Sequence, residues 1–227
     1  MKCTHIALMS TLLLAVMVSA AHAGVVIGGT RLIYDSAKKE SSLSVSNPDN
    51  APYLIQSWVE TTGGGAEKAP FMITPPLFRL DGNQQNVLRV IRAGGNLASD
   101  KESLFWMNIK SIPSSEKKEG QNTLQVAVKT RIKLIFRPDG LKGVPEAVTQ
   151  NLKWQRNGNQ LQVSNPTPFY MNFQQVSVGG KEIKEVTFVA PMSTADFALP
   201  AGTTGNSVNW KLISDYGGIG PQHTGNL

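Results

Sequence analysis

The chain has 227 residues, 41% of them hydrophobic, and 22 lysines and arginines against 16 aspartates and glutamates give a net charge of +6. That length suits either a single core or two cores of roughly 100 residues each. The cations are spread among carboxylates without any run of about five like charges, which excludes a nucleic-acid footprint and describes an ordinary basic surface.

The N-terminus reads as an export signal. Lys2 supplies a short positive region, Ile6–Val18 is almost continuously apolar, and Ala21-His22-Ala23 has the small-x-small form of a cleavage site. The spacing predicts a signal over residues 1–23, with the mature chain starting at Gly24. The apolar run is too short for a membrane span, and no later segment reaches the ~20 apolar residues that spanning needs, so no membrane insertion is expected. Cleavage removes Cys3, the only cysteine, together with His5 and His22, and leaves 204 residues with His223 as the one histidine. Stability is then expected from apolar cores and not from disulfides.

Short apolar-alternating segments separated by turn residues follow, and none keeps a helical period. Ser41–Asn47 places Leu43 and Val45 on one face before the Asn47-Pro48-Asp49-Asn50 turn. In Tyr53–Glu60, Leu54, Gln56 and Trp58 share one face, and Tyr53, Ile55 and Val59 share the other. Gly63–Gly65 and Asp81-Gly82-Asn83 mark turns, and Val87–Ile91 and Leu104–Lys110 are further strands, the latter with Phe105, Met107 and Ile109 toward a core. Trp58 and Trp106 are also expected in cores.

Gln121–Pro138 is the most informative stretch. Leu124, Val126 and Val128 alternate with Gln125, Ala127 and Lys129, and the basic residues Lys129, Arg131 and Lys133 follow. An apolar ladder beside fixed cations suits gripping another polypeptide; the same pattern also fits a buried strand of an ordinary β-sandwich. Lys133 differs in parity from Leu124, Val126 and Val128, so a regular strand aims it at the opposite face unless a bulge intervenes. Two prolines and two glycines in Arg137–Pro145 then read as an interdomain connection. Beyond it, Leu152–Val163 is a hairpin turning at Asn157-Gly158, and Tyr170–Val178, Val186–Val189 and Ser207–Ser214 are strands. The pattern predicts two successive all-β sandwiches of immunoglobulin-like size, over residues 24–142 and 143–227.

The inventory argues against an enzyme. No cysteine remains for a thiolate, and one histidine in a Gly/Gln/Thr-rich tail, read as solvated, cannot serve a triad or a metal site. Glu116 and Glu119 fall in the polar loop Ser114–Thr123, and Gly63–Gly65 lacks the flanks of a phosphate loop. No cofactor and no metal are expected.

The landmarks Gly28–Tyr34 (GGTRLIY), Tyr53–Glu60 (YLIQSWVE), Phe71–Leu80 (FMITPPLFRL), Glu102–Pro113 (ESLFWMNIKSIP), Arg131–Pro138 (RIKLIFRP), Asn165–Tyr170 (NPTPFY) and Asp215–Gly217 (DYG) occur in order along the mature chain. In that order and spacing the chain resembles the periplasmic chaperones of chaperone–usher pilus assembly. The short Ser114–Thr123 segment resembles the short-loop branch. The resemblance implies two immunoglobulin-like domains set at an angle, a periplasmic location, and fimbrial subunits and an outer-membrane usher as partners. It further implies that Leu124, Val126 and Val128 are lent to an incomplete subunit sandwich, and that Arg31 and Lys133 hold the subunit's C-terminal carboxylate. Glu102, Arg137 and Asp215 match charged positions that join the two domains. Self-association of the empty protein, which would cover the exposed edge, stays open. The alternatives are a structural pilus or adhesin component, which would carry an N-terminal apolar-alternating extension where Gly24–Thr30 is short and glycine-rich, and a carbohydrate-binding module using exposed aromatics.

Overall fold

The computed structural model describes residues 24–64, 68–114 and 124–227. The predicted signal, Cys3, His5, His22, Gly65, Glu116 and Glu119 lie outside them.

Period-two apolar patterning builds two β-sandwiches in series. The first contains β1 (Val26–Ile27), β2 (Arg31–Asp35), β3 (Glu40–Ser46), β4 (Tyr53–Thr61), β5 (Phe71–Thr74), β6 (Leu77–Leu80), β7 (Gln85–Arg92), β8 (Ser103–Pro113) and β9 (Val128–Arg137). One sheet has the order β1-β3-β7-β5 and the other β2-β9-β8-β4-β6. Ile55, Phe105, Met107, Ile109, Ile132, Leu134 and Phe136 fill the space between them, with Phe71 set edge-on between Tyr34 and Phe105 at centroid distances of 5.2 and 5.0 Å.

The second sandwich follows a short helix α1 (Pro145–Val148) and a 3₁₀ turn (Thr149–Asn151). Its strands are β10 (Lys153–Asn157), β11 (Gln160–Asn165), β12 (Met171–Val178), β13 (Lys181–Glu182), β14 (Phe188–Val189), β15 (Ser193–Ala198), β16 (Ser207–Ile213) and β17 (Ile219–Asn226). The sheets run β10-β11-β15 and β13-β12-β16-β17, with β14 also on β12. Trp154, Phe173 and Trp210 anchor the core. Both domains are immunoglobulin-like.

The same corner recurs in each domain although the chain shows no close repeat. Ser46-Asn47-Pro48 and Ser164-Asn165-Pro166 each place a buried asparagine at a strand end. Asn47 donates through Nδ2 to the carbonyls of Ala51, Leu80 and Asp81. Asn165 donates likewise to Phe169, Val189 and Ala190. Carbonyls left over where strands turn are thereby satisfied inside the protein.

The first edge is split between two sheets. β1 pairs with β3 (Val26 opposite Ser46), whereas β2 pairs in parallel with β9 (Arg31 opposite Lys133). The crossover passes so close to β3 that a Cβ on Gly28 would lie 2.0 Å from Ser44 Oγ. Any larger residue would have to turn the Ser44 hydroxyl aside and press on its carbonyl at 3.2 Å.

Several expectations change. The tail of the chain is strand β17, paired to β16 from Asn226 opposite Ser207 to Ile219 opposite Ile213. His223 is therefore not solvated: its ring stacks on Trp210 at 5.7 Å, and Nδ1 and Nε2 contact Gln150 and Glu146. Val186–Val189 shrinks to the two residues of β14.

Candidate functional site

β9 is the element about which a site is organised. On one side it pairs antiparallel with β8 without a register shift, from Val128 opposite Ser111 to Phe136 opposite Ser103. On the other side β2 joins it only from Lys133 onward. Between Val128 and Ile132 the outer edge of β9 therefore has no strand partner among the described residues. Just before it, residues 124–127 sit on no ladder. The strand is thus shorter than the sequence pattern suggested, and the Gln125 side chain, donating through Nε2 to the Pro113 carbonyl at 2.6 Å, keeps the segment beside the end of β8. Leu124, Val126 and Val128 are 92%, 63% and 56% exposed. An uncovered apolar row leading into an open edge is what folded proteins ordinarily blunt with charge or proline.

The unbroken ladder settles the parity of Lys133. No bulge intervenes, so Lys129, Arg131 and Lys133 stand on the face of the sheet opposite Val128, Ile132 and Leu134. That face looks toward the second domain, as the contacts of Arg31 and Lys133 show. Arg31 is only 9% exposed and donates through Nη1 to the Ile213 carbonyl at 3.1 Å. Its Nε is buried with no partner. Lys133 donates through Nζ to Asn172 Oδ1 and lies 4.5 Å from the centre of the Phe188 ring. Neither cation has an ion pair among the described residues.

The two anchors expected from the resemblance thus stand side by side, facing each other in register, in a cleft between the domains. Burial draws the Arg31 guanidinium below its ordinary range, with Asp215 opposing. Burial first, and then neighbouring Arg31, push the Lys133 ammonium down to about 8. Two partly desolvated cations with a free buried N–H form a strong receptor for an anion, above all a planar carboxylate.

Asn172 and Phe188 were missed in the sequence. The signal was present for Asn172: it falls between the core residues Met171 and Phe173, so period two turns it out of its own domain's core, yet it is buried. A buried polar side chain on the outward face of a strand marks a contact with something else.

Glu102, Arg137 and Asp215 do come together. Arg137 donates through Nε to Glu102 Oε1 at 2.7 Å, and through Nη1 and Nη2 to both Asp215 oxygens at 2.6 and 2.9 Å. Glu102 Oε2 accepts the Tyr170 amide at 2.7 Å. Burial outweighs the attraction of Arg137 and raises the Glu102 carboxyl. For Arg137, burial is outweighed by its bonds to Asp215 and Glu102, which hold the guanidinium above its ordinary value.

Trp58 and Trp106 are not core residues. They lie half-buried on the cleft face of the first domain, where Lys129 Nζ covers one ring at 5.0 Å and Arg131 Cζ the other at 4.5 Å. Covered faces are not open platforms for a sugar.

Comparison with known proteins finds family models, relatives and solved structures that resemble the chain over most of its length. Residues 24–142 match the family described as pili and flagellar-assembly chaperone, PapD N-terminal domain, and residues 147–224 match pili assembly chaperone PapD, C-terminal domain. The chain is 43% identical over 230 residues to the probable fimbrial chaperone LpfB of Escherichia coli O157:H7, covering 100% of this chain and 98% of that one. It is 42% identical over 216 residues to the chaperone protein FimC of Escherichia coli K12, covering 93% and 88%. Among solved structures it superposes on a chain of the Salmonella enterica SafA pilin–SafB chaperone complex with a TM-score of 0.85 at 41% identity, covering 92% of this chain and 99% of that one. The E. coli chaperone DraB matches with a TM-score of 0.81 at 43% identity, covering 90% and 96%.

Proposed function

The chain belongs to the PapD-type pili assembly chaperones, and we propose that it captures newly exported fimbrial subunits by lending them the free edge of β9. Residues 1–23 are removed on export, the protein acts in the periplasm without ATP or any cofactor, and it hands its subunits to an outer-membrane usher. Chaperone–pilin pairing is itself an established example of strand addition, and the relative SafB is solved in complex with the SafA pilin.

The observation that carries this reading is the open edge of β9 preceded by three exposed apolar residues and ended by two cations. A subunit sandwich lacking one strand offers a groove for such a row. Burying Leu124, Val126 and Val128 there would supply roughly 5–9 kcal/mol, at about 1.5–3 each, against the cost of association and ordering. Arg31 and Lys133 close the edge where a carboxylate terminus would arrive. The guanidinium offers paired hydrogen bonds and the ammonium a compact second charge. Fixing that terminus fixes the register, since a slip of one residue would turn every apolar side chain away from the groove.

Alanine at either anchor tests the assignment. Arg31→Ala and Lys133→Ala are expected to abolish recovery of a co-expressed subunit from periplasm while the chaperone keeps its circular dichroism and melting behaviour. A normal yield of complex from both variants contradicts the anchor role.

A further inference from the structure

The free span of β9 carries two cations, Lys129 and Arg131, whose side chains are 44% and 43% exposed yet do not point straight out from the sheet. Both fold back across the sheet onto indole rings, Lys129 onto Trp58 of β4 and Arg131 onto Trp106 of β8. A single carboxylate ties the group together. Glu60 accepts the Trp58 indole N–H at 2.7 Å and lies 3.7 Å from Lys129 Nζ and 3.4 Å from Arg131 Nη2. The Trp58 N–H is the first cause that holds this carboxyl below the ordinary range. Beneath the group, Asn108, which lies between Trp58 and Arg131 across the ladder, is fully buried.

We propose that Glu60, Trp58 and Trp106 form a clamp that holds Lys129 and Arg131 and so orders the unpaired span of β9 for an incoming strand. The proposal rests on the chaperone reading above for its purpose, but the clamp itself belongs to the empty protein. From Lys133 onward β9 is bonded on both sides, by β8 and β2, and needs no further support. From Val128 to Ile132 it is bonded on one side only, and that is where the two clamped cations stand. An edge held by half a ladder opens locally at little cost. Twisting about its axis would turn Val128 and Thr130 out of line with the exposed row that precedes them. Side chains pinned on the opposite face resist that rotation. Each contact is modest at an exposed site, but they converge on one carboxylate and cross three strands. Trp58, Trp106 and Glu60 are accordingly positioning residues, which touch the edge through its own cations and not the captured subunit.

Hydrogen exchange of the empty protein tests the clamp apart from any subunit. Glu60→Gln and Trp106→Leu are expected to speed exchange of the β8-bonded amides in residues 128–132 about fivefold, with residues 133–136 and the second domain unchanged. Trp106→Phe, which keeps an aromatic face, is expected to restore most of the protection. Molar salt should loosen the span in the parent protein and have little further effect in Glu60→Gln. In stopped-flow mixing with a purified subunit that lacks its final strand, the two loosening variants should capture about fivefold more slowly, with the Arg31 anchor intact. Unchanged exchange at 128–132 in both variants overturns the clamp, whatever the capture rate. Loosening spread over the whole domain also overturns it, because the residues would then be general supports. If the parent protein captures no subunit, the chaperone reading falls while the exchange result still decides the clamp.

Discussion

At Lys133 the fold sets burial against charge. The ammonium leaves water for a site lined by Asn172 and Phe188 beside a second cation, and its titration moves down to about 8. Two trends of opposite direction follow. Capture of a carboxylate needs the charged form, so association with a strand-lacking subunit is expected to weaken as the pH rises from about 7 to about 9. Lys133→Arg, charged throughout, should show a flat profile over that range. Stability of the empty protein should run the other way. Between the native value near 8 and the ordinary lysine value of 10.5, the unfolded chain binds more protons than the folded one, so stability rises with pH across that window. Urea midpoints should climb there for the parent protein, and Lys133→Gln should remove that part of the slope. The anchor role proposed for Arg31 and Lys133 was legible in the sequence only through their family positions; taken alone they read as solvated surface charges. Their burial comes from a second domain that arrives 39 residues later for Asn172 and 182 later for Ile213, and no local pattern announces such a contact.

At the scale of the strand, the decisive property is an apolar row that belongs to neither core of the described residues. Val126→Glu places a charge where a subunit groove would be dry, and should cut affinity in a pull-down by at least about tenfold without moving the chaperone's own melting temperature. An undiminished pull-down would show that this row is not the face presented. Period two identified strands well wherever one face is apolar and the other polar. Phe105, Met107 and Ile109 were assigned to a core for that reason and are buried. It failed for Trp58 and Trp106, because their strands carry large residues on both faces and alternation tells which side chains share a face, not which face is inward. It failed again for β17, where Gly, Gln and Thr follow one another with no apolar alternation and the strand is held by pairing to β16 and by His223 on Trp210. In the other direction it extended β9 too far: residues 124–127 carry a strand pattern but sit on no ladder, since no described strand lies along them to pair with.

Over the whole molecule, the two sandwiches are joined by Arg137 standing between Glu102 and Asp215. The domain count was legible from Arg137–Pro145, where prolines and glycines interrupt the alternation. This charge cluster was not, because Asp215 stands 78 positions beyond Arg137 and Glu102 35 before it, and nothing but the resemblance linked them. Removing the central cation leaves two carboxylates facing each other across the junction. Arg137→Ala is therefore expected to destabilise the protein by about 3 kcal/mol in urea unfolding. Glu102→Gln should cost under about 1 kcal/mol, because burial already disfavours that carboxylate. Equal losses from the two would mean that the cluster acts by packing and not by charge. The split first edge bears on recognition in another way. A guest polypeptide sliding along the free rail would come to a buffer stop where β2 takes its place at Arg31 and Lys133. The distance from that stop to the far end of the apolar row is set by the host, so a guest would be measured from its tail. One added residue would force it to buckle or to retreat by a whole pleat. Chain length would thereby be inspected along with chemistry.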